Sequence, residues 1–200
     1  MKENGFEYVD LGLPSKTMWA TCNVGASKPE DSGLLFQFGR VDGYKYADTN
    51  NKFRTLDQNE QDTGDKDIPQ TASNKVYNVK DILELEDDAA HVNMGGKWRM
   101  SSNDELKELY NNATYNVETI NGTNGMMFTS KKNGKQIFIP FAGFWYNESF
   151  NGLGSSVNLW SSQVQSVRDN FAYNLCCNSG GDVYYNFRSN AFSVRGVFKK

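Results

Sequence analysis

His91 is the only histidine among the 200 residues. It stands between Ala90 and Val92 in a stretch that reads as helix, and no serine or cysteine spacing offers it a nucleophile to activate. The three cysteines are Cys22 and the adjacent pair Cys176 and Cys177. An odd count without C-x-x-C spacing suits neither zinc nor dithiol chemistry, so unpaired thiols are expected. Carboxylates cluster in Asp62-Thr63-Gly64-Asp65-Lys66-Asp67 and again over residues 84–88. The first run fails the calcium-loop spacing and the second includes the solvated face of a helix. The expectation is therefore no catalytic residue, no metal and no cofactor. A different chemistry recurs near the C-terminus, where Asn, Ser and Asp interleave with Phe171, Tyr184, Tyr185 and Phe187. Large rigid rings beside short hydrogen-bonding side chains are the material of non-covalent recognition.

The elements that must hold these residues are short. Eighteen Gly, 10 Tyr and 13 Phe, with abundant Asn and Ser, favour strands and turns over long helices. Strands are predicted at residues 8–14 and 18–24, both facing a core. Residues 48–78 turn polar and read as a long surface excursion. A helix is predicted over residues 79–92, with Ile82, Leu83, Leu85, Ala89, Ala90 and Val92 on one side and Gly95-Gly96 as its stop. Ser102-Asn103-Asp104-Glu105 is a capping box opening a second, short helix that carries Leu106, Leu109 and Tyr110. Beyond it only strands are predicted: 125–130 and 136–141 about an Asn133-Gly134 turn of the type I′ kind, then 159–162, 171–178, 183–188 and 191–197. Alternation sets Tyr173, Leu175 and Cys177 inward and Ala172, Asn174 and Cys176 outward, and makes one of Tyr184 and Tyr185 a core residue. Two helices followed by a strand-rich half make an α+β plan in one domain spanning residues 1–200.

A net charge of −3 and scattered Lys and Arg give no footprint for nucleic acid. No apolar run is long enough to insert in a bilayer, and the first five residues lack the layout of a signal peptide.

The runs Tyr8-Val9-Asp10-Leu11-Gly12-Leu13-Pro14-Ser15, Trp19-Ala20-Thr21-Cys22-Asn23-Val24-Gly25-Ala26, Gly95-Gly96-Lys97-Trp98-Arg99-Met100, Ile137-Phe138-Ile139-Pro140, Leu159-Trp160-Ser161-Ser162 and Phe192-Ser193-Val194-Arg195 resemble, in order, the Fibrobacter succinogenes major paralogous domain. That family is C-type-lectin-like and related to the formylglycine-generating enzyme. It includes variable proteins of diversity-generating retroelements in Bacteroides and their phages. Where relatives follow Trp-Arg-Met with proline and threonine, this chain has Ser101-Ser102, which keeps a capping hydroxyl. The resemblance implies two helices packed on twisted antiparallel sheets, an N-terminal strand near the C-terminal one, and an irregular C-terminal sheet that presents a binding face. Trp19, Trp98, Trp160 and Phe192 are then core aromatics, and Arg99 and Arg195 structural ties. The reactive cysteine pair of the formylglycine-generating relatives has no match in Cys22, Cys176 or Cys177. Nor are the Glu-Pro-Asn, Gln-Pro-Asp or Trp-Asn-Asp triplets of calcium lectins present.

In such retroelements, as the family is understood, Asn codons of the form AAY are diversified to NNY, which cannot encode Glu, Lys, Gln, Met or Trp. These five types supply 42 of the 200 residues, yet none falls between Ser166 and Phe198. At the chain-wide frequency about 7 are expected there, although strands are also depleted in Glu and Lys. The resemblance thus marks a variable region at about 157–191. Its candidate ligand-binding residues are Val157, Asn158, Val164, Asp169, Phe171, Cys176, Asn178, Asp182, Tyr184, Asn186, Phe187, Ser189 and Asn190. The expected role is binding a protein or glycan receptor on a target cell, from a phage tail tip or a bacterial surface. The alternatives are a non-diversified, fimbria-associated surface paralogue and, disfavoured by the missing chemistry, a formylglycine-generating-type enzyme.

Overall fold

The computed structural model describes residues 1–48, 82–146, 149–165, 171–177 and 181–200. Apart from residue 48, the polar excursion expected at 48–78 lies outside them. Among the described residues, three sheets and two helices make an α+β fold.

The first sheet joins the two ends of the chain. β1 (Lys2–Glu3), β2 (Phe6–Asp10) and β3 (Thr17–Asn23) run antiparallel, followed in space by β15 (Arg195–Lys199) and β5 (Arg99–Met100). Trp19 lies opposite Val197 in this pairing. The second sheet follows the path β10 (Ser149–Leu153), β9 (Ala142–Tyr146), β14 (Ala191–Ser193), β11 (Val157–Val164), β12 (Phe171–Cys177) and β13 (Gly181–Phe187), with β4 (Leu35–Gln37) also paired to β14. The expected strand at 191–197 is thus two: it breaks at Val194, and its halves enter different sheets. β6 (Ala113–Ile120), β7 (Thr123–Ser130) and β8 (Gln136–Pro140) form the third sheet.

Alternation along the strands feeds two cores. Met18, Ala20, Phe198 and Trp160 pack with Phe36, Phe38, Trp98 and Phe192 in one. Trp19, Val197, Leu159 and Leu175 pack with Leu106, Leu109, Phe128 and Ile139 in the other. Neighbouring residues with opposite facing therefore both find apolar company, which explains why Trp19, Trp98, Trp160 and Phe192 are all buried as expected.

The second helix is as read. α2 (Asn103–Asn112) opens with Ser102 accepting from Glu105 N, while the Glu105 carboxylate takes Ser102 N at 2.9 Å. The first helix differs. α1 covers only Ala89–Met94, preceded by a 3₁₀ turn at Leu85–Asp87, and Ile82, Leu85 and Val92 are exposed. The reason is Asp88, whose extended backbone (φ −88, ψ 109) makes it an N-cap. Its buried carboxylate accepts from His91 N at 2.9 Å and Met100 N at 2.8 Å. A side chain satisfying N–H groups of both helix and strand fixes the start point more firmly than the apolar spacing upstream of it. Residues 79–81 of the expected helix lie outside the described residues. At the far end Gly95, with φ +64, closes α1 as anticipated.

The hairpin of 125–130 and 136–141 is present, but its turn is of a different kind. Asn133 does not take a positive φ, and Ser130 N donates to Lys135 O across a four-residue loop in which Gly134 alone is left-handed. The type I′ geometry belongs to Asn121-Gly122, where both residues have positive φ and Ile120 pairs directly with Thr123. That turn joins β6 to β7, and β6, β9 and β10 are strands beyond those expected.

Candidate functional site

β11, β12 and β13 lie side by side, antiparallel, and their registers sort the recognition residues onto two faces. On one face Asn158, Cys176 and Asp182 form a row across the strands, Trp160, Asn174 and Tyr184 a second, and Val164, Ala172 and Asn186 a third. On the other face the rows are Val157, Cys177 and Gly181, then Leu159, Leu175 and Val183, then Tyr173 with Tyr185, and Phe171 with Phe187.

Each face changes character along its length. The first is apolar where Trp160, Val164 and Ala172 join the core, and turns polar toward β13. There Asn186 Nδ2 donates to Asn174 Oδ1 at 2.9 Å, and the Nδ2 of fully buried Asn174 has no hydrogen-bond partner. The second face is covered by α2 over Val157, Leu159, Leu175 and Cys177. Beyond it lies an aromatic group: Phe171 is 4.3 Å from Phe187 and 5.5 Å from Tyr185 between ring centroids, and Lys107 Nζ stands 6.0 Å over the Tyr173 ring.

The candidate residues therefore divide. Asp182 and Tyr184 are exposed, and Cys176 and Asn186 half-buried, on the first face; Phe171 and Phe187 are half-buried on the second. Four candidates do not offer their side chains outward. Val157 and Val164 are in the two cores, and Asn158 and Asn190 are buried at 7% and 4% exposure. Val157 faces α2, and Asn158 donates to Ser156 Oγ at 3.0 Å; the region's boundary reached too far into β11, which is an interior strand with neighbours on both sides. Ser189 is half-buried in the turn after β13, where its carbonyl accepts from Gln37 Nε2. Asp169 and Asn178 lie outside the described residues.

Facing was misread in two places. Ala172 and Asn174 are fully buried whereas Tyr173 is only half-buried, because β12 passes between the two cores and each takes a different parity. Neither Tyr184 nor Tyr185 is core: they are 54% and 45% exposed on opposite faces. β13 has no strand beyond it among the described residues. Tyr173 and Tyr185 therefore join the site. The parity that Tyr185 shares with Phe187 was the signal for it.

The three cysteines are free. Burial pushes the Cys177 thiol up to about 12, with Cys176 and Asp182 adding to the shift, and burial also raises Cys176. His91 Nδ1 lies 3.0 Å from the Trp98 carbonyl oxygen, a contact that ties α1 to the strand after it. Among the described residues no group of three or more His, Cys, Asp or Glu converges to hold a metal, and no helix is long and apolar enough to cross a membrane. No family model, curated protein or solved structure matches the chain.

Proposed function

We propose that the chain is a binding protein of C-type-lectin-like fold, a retroelement-diversified variable domain that meets a protein or glycan receptor on a target cell from a phage tail or bacterial surface. The observation that carries this reading is the β12–β13 ribbon. Tyr184, Tyr185, Asn186, Phe187 and Asp182 lie exposed or half-buried on it, while Leu175, Ala172 and Cys177 beneath are fully buried. A fixed base under a tolerant surface lets side chains change identity without unfolding the domain. The same ribbon lies in the stretch without Glu, Lys, Gln, Met or Trp. The pairing of β3 with β15, from the two ends of the chain, and the presence of two helices support the reading.

Deep sequencing of the gene in its native population tests the reading. The expected result is substitution concentrated at codons for Phe171, Asp182, Tyr184, Tyr185, Asn186 and Phe187, with Val157, Leu159 and Leu175 constant. Uniformly low variation across the ribbon would replace it with the fixed, fimbria-associated surface paralogue.

A further inference from the structure

β13 is the last strand in the path of its sheet, and no described strand pairs with its outer edge. Natural sheets protect such edges with lysine, proline, bulges or short length, because a bare row of N–H and C=O groups templates another strand. β13 has no lysine, proline or bulge, and its one charged side chain, Asp182, stands near its start. Its seven residues, Gly-Asp-Val-Tyr-Tyr-Asn-Phe, pair with β12 in unbroken register from Phe171↔Phe187 to Cys177↔Gly181. The opposite edge of the same sheet is different: Gly143 and Gly152 both take left-handed φ and interrupt the β9–β10 ladder.

We propose that β13 pairs antiparallel with β13 of a second copy of this chain, about a two-fold axis at Tyr185. In that register Tyr185 faces its own copy, and Val183 faces Phe187 of the partner on the aromatic side. On the amide side Tyr184 faces Asn186 of the partner. Apolar side chains meet apolar ones on one face, and a phenol meets an amide on the other. Both tyrosines are exposed, so rings are available on either side of the new ladder.

Charge does not oppose a copy of the chain at this edge. Asp182 is the only ionisable charge in β13. It lies three residues from the axis, so the two carboxylates stand about 20 Å apart at a rise of roughly 3.4 Å per residue. Beyond a Debye length of roughly 8 Å their repulsion is largely screened. β6, another long edge strand, carries Glu118 near its middle. Pairing it about Val117 would bring two carboxylates to roughly 8 Å, about that length. The β13 dimer closes on itself and sets two recognition ribbons side by side, a geometry for bivalent engagement of a repeating surface. That bivalent use rests on the proposed receptor reading; the pairing of the two edges does not.

Sedimentation velocity of the full chain over a wide concentration range, with circular dichroism as the check on folding, tests the proposal. The wild type is expected to form a dimer, and Tyr185→Lys and Tyr185→Glu are each expected to sediment as folded monomers. Mixing these two variants is expected to restore a dimer, because only a register with residue 185 opposite itself sets ammonium against carboxylate. A wild type that stays monomeric overturns the proposal. So does a dimer that survives both single substitutions, a mixture that stays monomeric, or a series of species growing beyond two. Should either variant fail to fold, the wild-type measurement and the same charge-swap mixing with Tyr184→Lys and Asn186→Glu decide the question.

Discussion

Arg195 Nη2 donates to the carbonyl oxygen of Phe138 at 3.1 Å, so the last strand of the first sheet is joined to the edge of the third through one fully buried guanidinium. The same group reaches Asn23 Oδ1 through Nε at 3.0 Å and Ala20 O through Nη1 at 3.1 Å. Burial lowers its pKa to about 10, which leaves it charged at neutral pH. Charge-assisted hydrogen bonds to three acceptors offset the cost of burying it.

Replacing Arg195 by methionine keeps most of the volume and strands three buried acceptors, each at a cost of about 1 to 3 kcal/mol. The expected loss of stability is roughly 3 kcal/mol or more, read from urea unfolding. A loss below about 1 kcal/mol would show that the guanidinium is not what joins the sheets.

Glu105 ties the same region from the other side. Burial raises its pKa, but the Arg99 guanidinium at 2.6 and 2.7 Å, Ser102 N and the Thr17 hydroxyl outweigh that and hold it at about 2 instead of 4.5. A carboxylate whose folded pKa is depressed contributes stability that is fully present above its unfolded value. That contribution is lost as pH falls from about 4.5 toward about 2, and amounts to roughly 3 kcal/mol. Asp88 opposes it, since burial raises its pKa and makes its ionised form the costly one. Unfolding measured at pH 7, 4 and 3 is expected to show a steep loss in the wild type and a flatter one in Glu105→Gln. Equal slopes in the two proteins would remove Glu105 as the source.

The Asn121-Gly122 turn isolates a backbone effect. A Cβ at Gly122 meets nothing within 4 Å, so its φ of +84 is the whole cost of adding one. Gly122→Ala is expected to destabilise by about 1 to 2 kcal/mol. Asn133→Ala, at a position without positive φ, loses two exposed hydrogen bonds, one donated to Asp10 O at 3.0 Å and one accepted from Lys135 N at 3.1 Å, and is expected to cost less. Thermal unfolding of both variants checks the order, and the reverse order would return the type I′ turn to Asn133-Gly134.

These cases also show what could be read from residues alone. The capping box at Ser102, the burial of the four large aromatics, the stop at Gly95 and the structural role of Arg195 were legible because each depends on local chemistry or on size. The start of α1 was not, because the upstream apolar spacing imitates a helix, and only the contact from Asp88 to Met100, twelve residues away, reveals the cap. The facing of β12 was not legible either. Alternation assumes one buried side, and this strand has a core on each, so Ala172 and Leu175 are both fully buried. Among the candidate residues, Phe171, Asp182, Tyr184 and Asn186 lie exposed or half-buried on the ribbon, whereas the burial of Val157 and Asn158 follows from a sheet order that no local pattern encodes.

The thiols give a further check on the site. Cys177 is fully buried with its thiol held at about 12, and is expected to stay silent toward a disulfide reagent at pH 8 until the protein unfolds. Titration in urea is then expected to release it together with the loss of circular dichroism. Rapid reaction of Cys177 in the folded protein would mean that α2 does not cover this end of the face.

Tolerance of the ribbon and intolerance of its base can be measured directly, without a ligand. Tyr184 is 54% exposed on an edge strand, so Tyr184→Ser removes little packing and is expected to change stability by less than about 1 kcal/mol. Leu175 lies one strand inward, fully buried against the α2 side chains Leu106 and Leu109, and Leu175→Ala leaves a cavity expected to cost about 2 to 5 kcal/mol. Asn186→Ser leaves the Oδ1 of buried Asn174 without its 2.9 Å donor and is expected to fall between them, at about 1 to 3 kcal/mol. Chemical denaturation of the three variants gives the ranking. If Tyr184→Ser cost as much as Leu175→Ala, the exposed ring would be part of the fold, and β13 could not serve as a freely diversified surface.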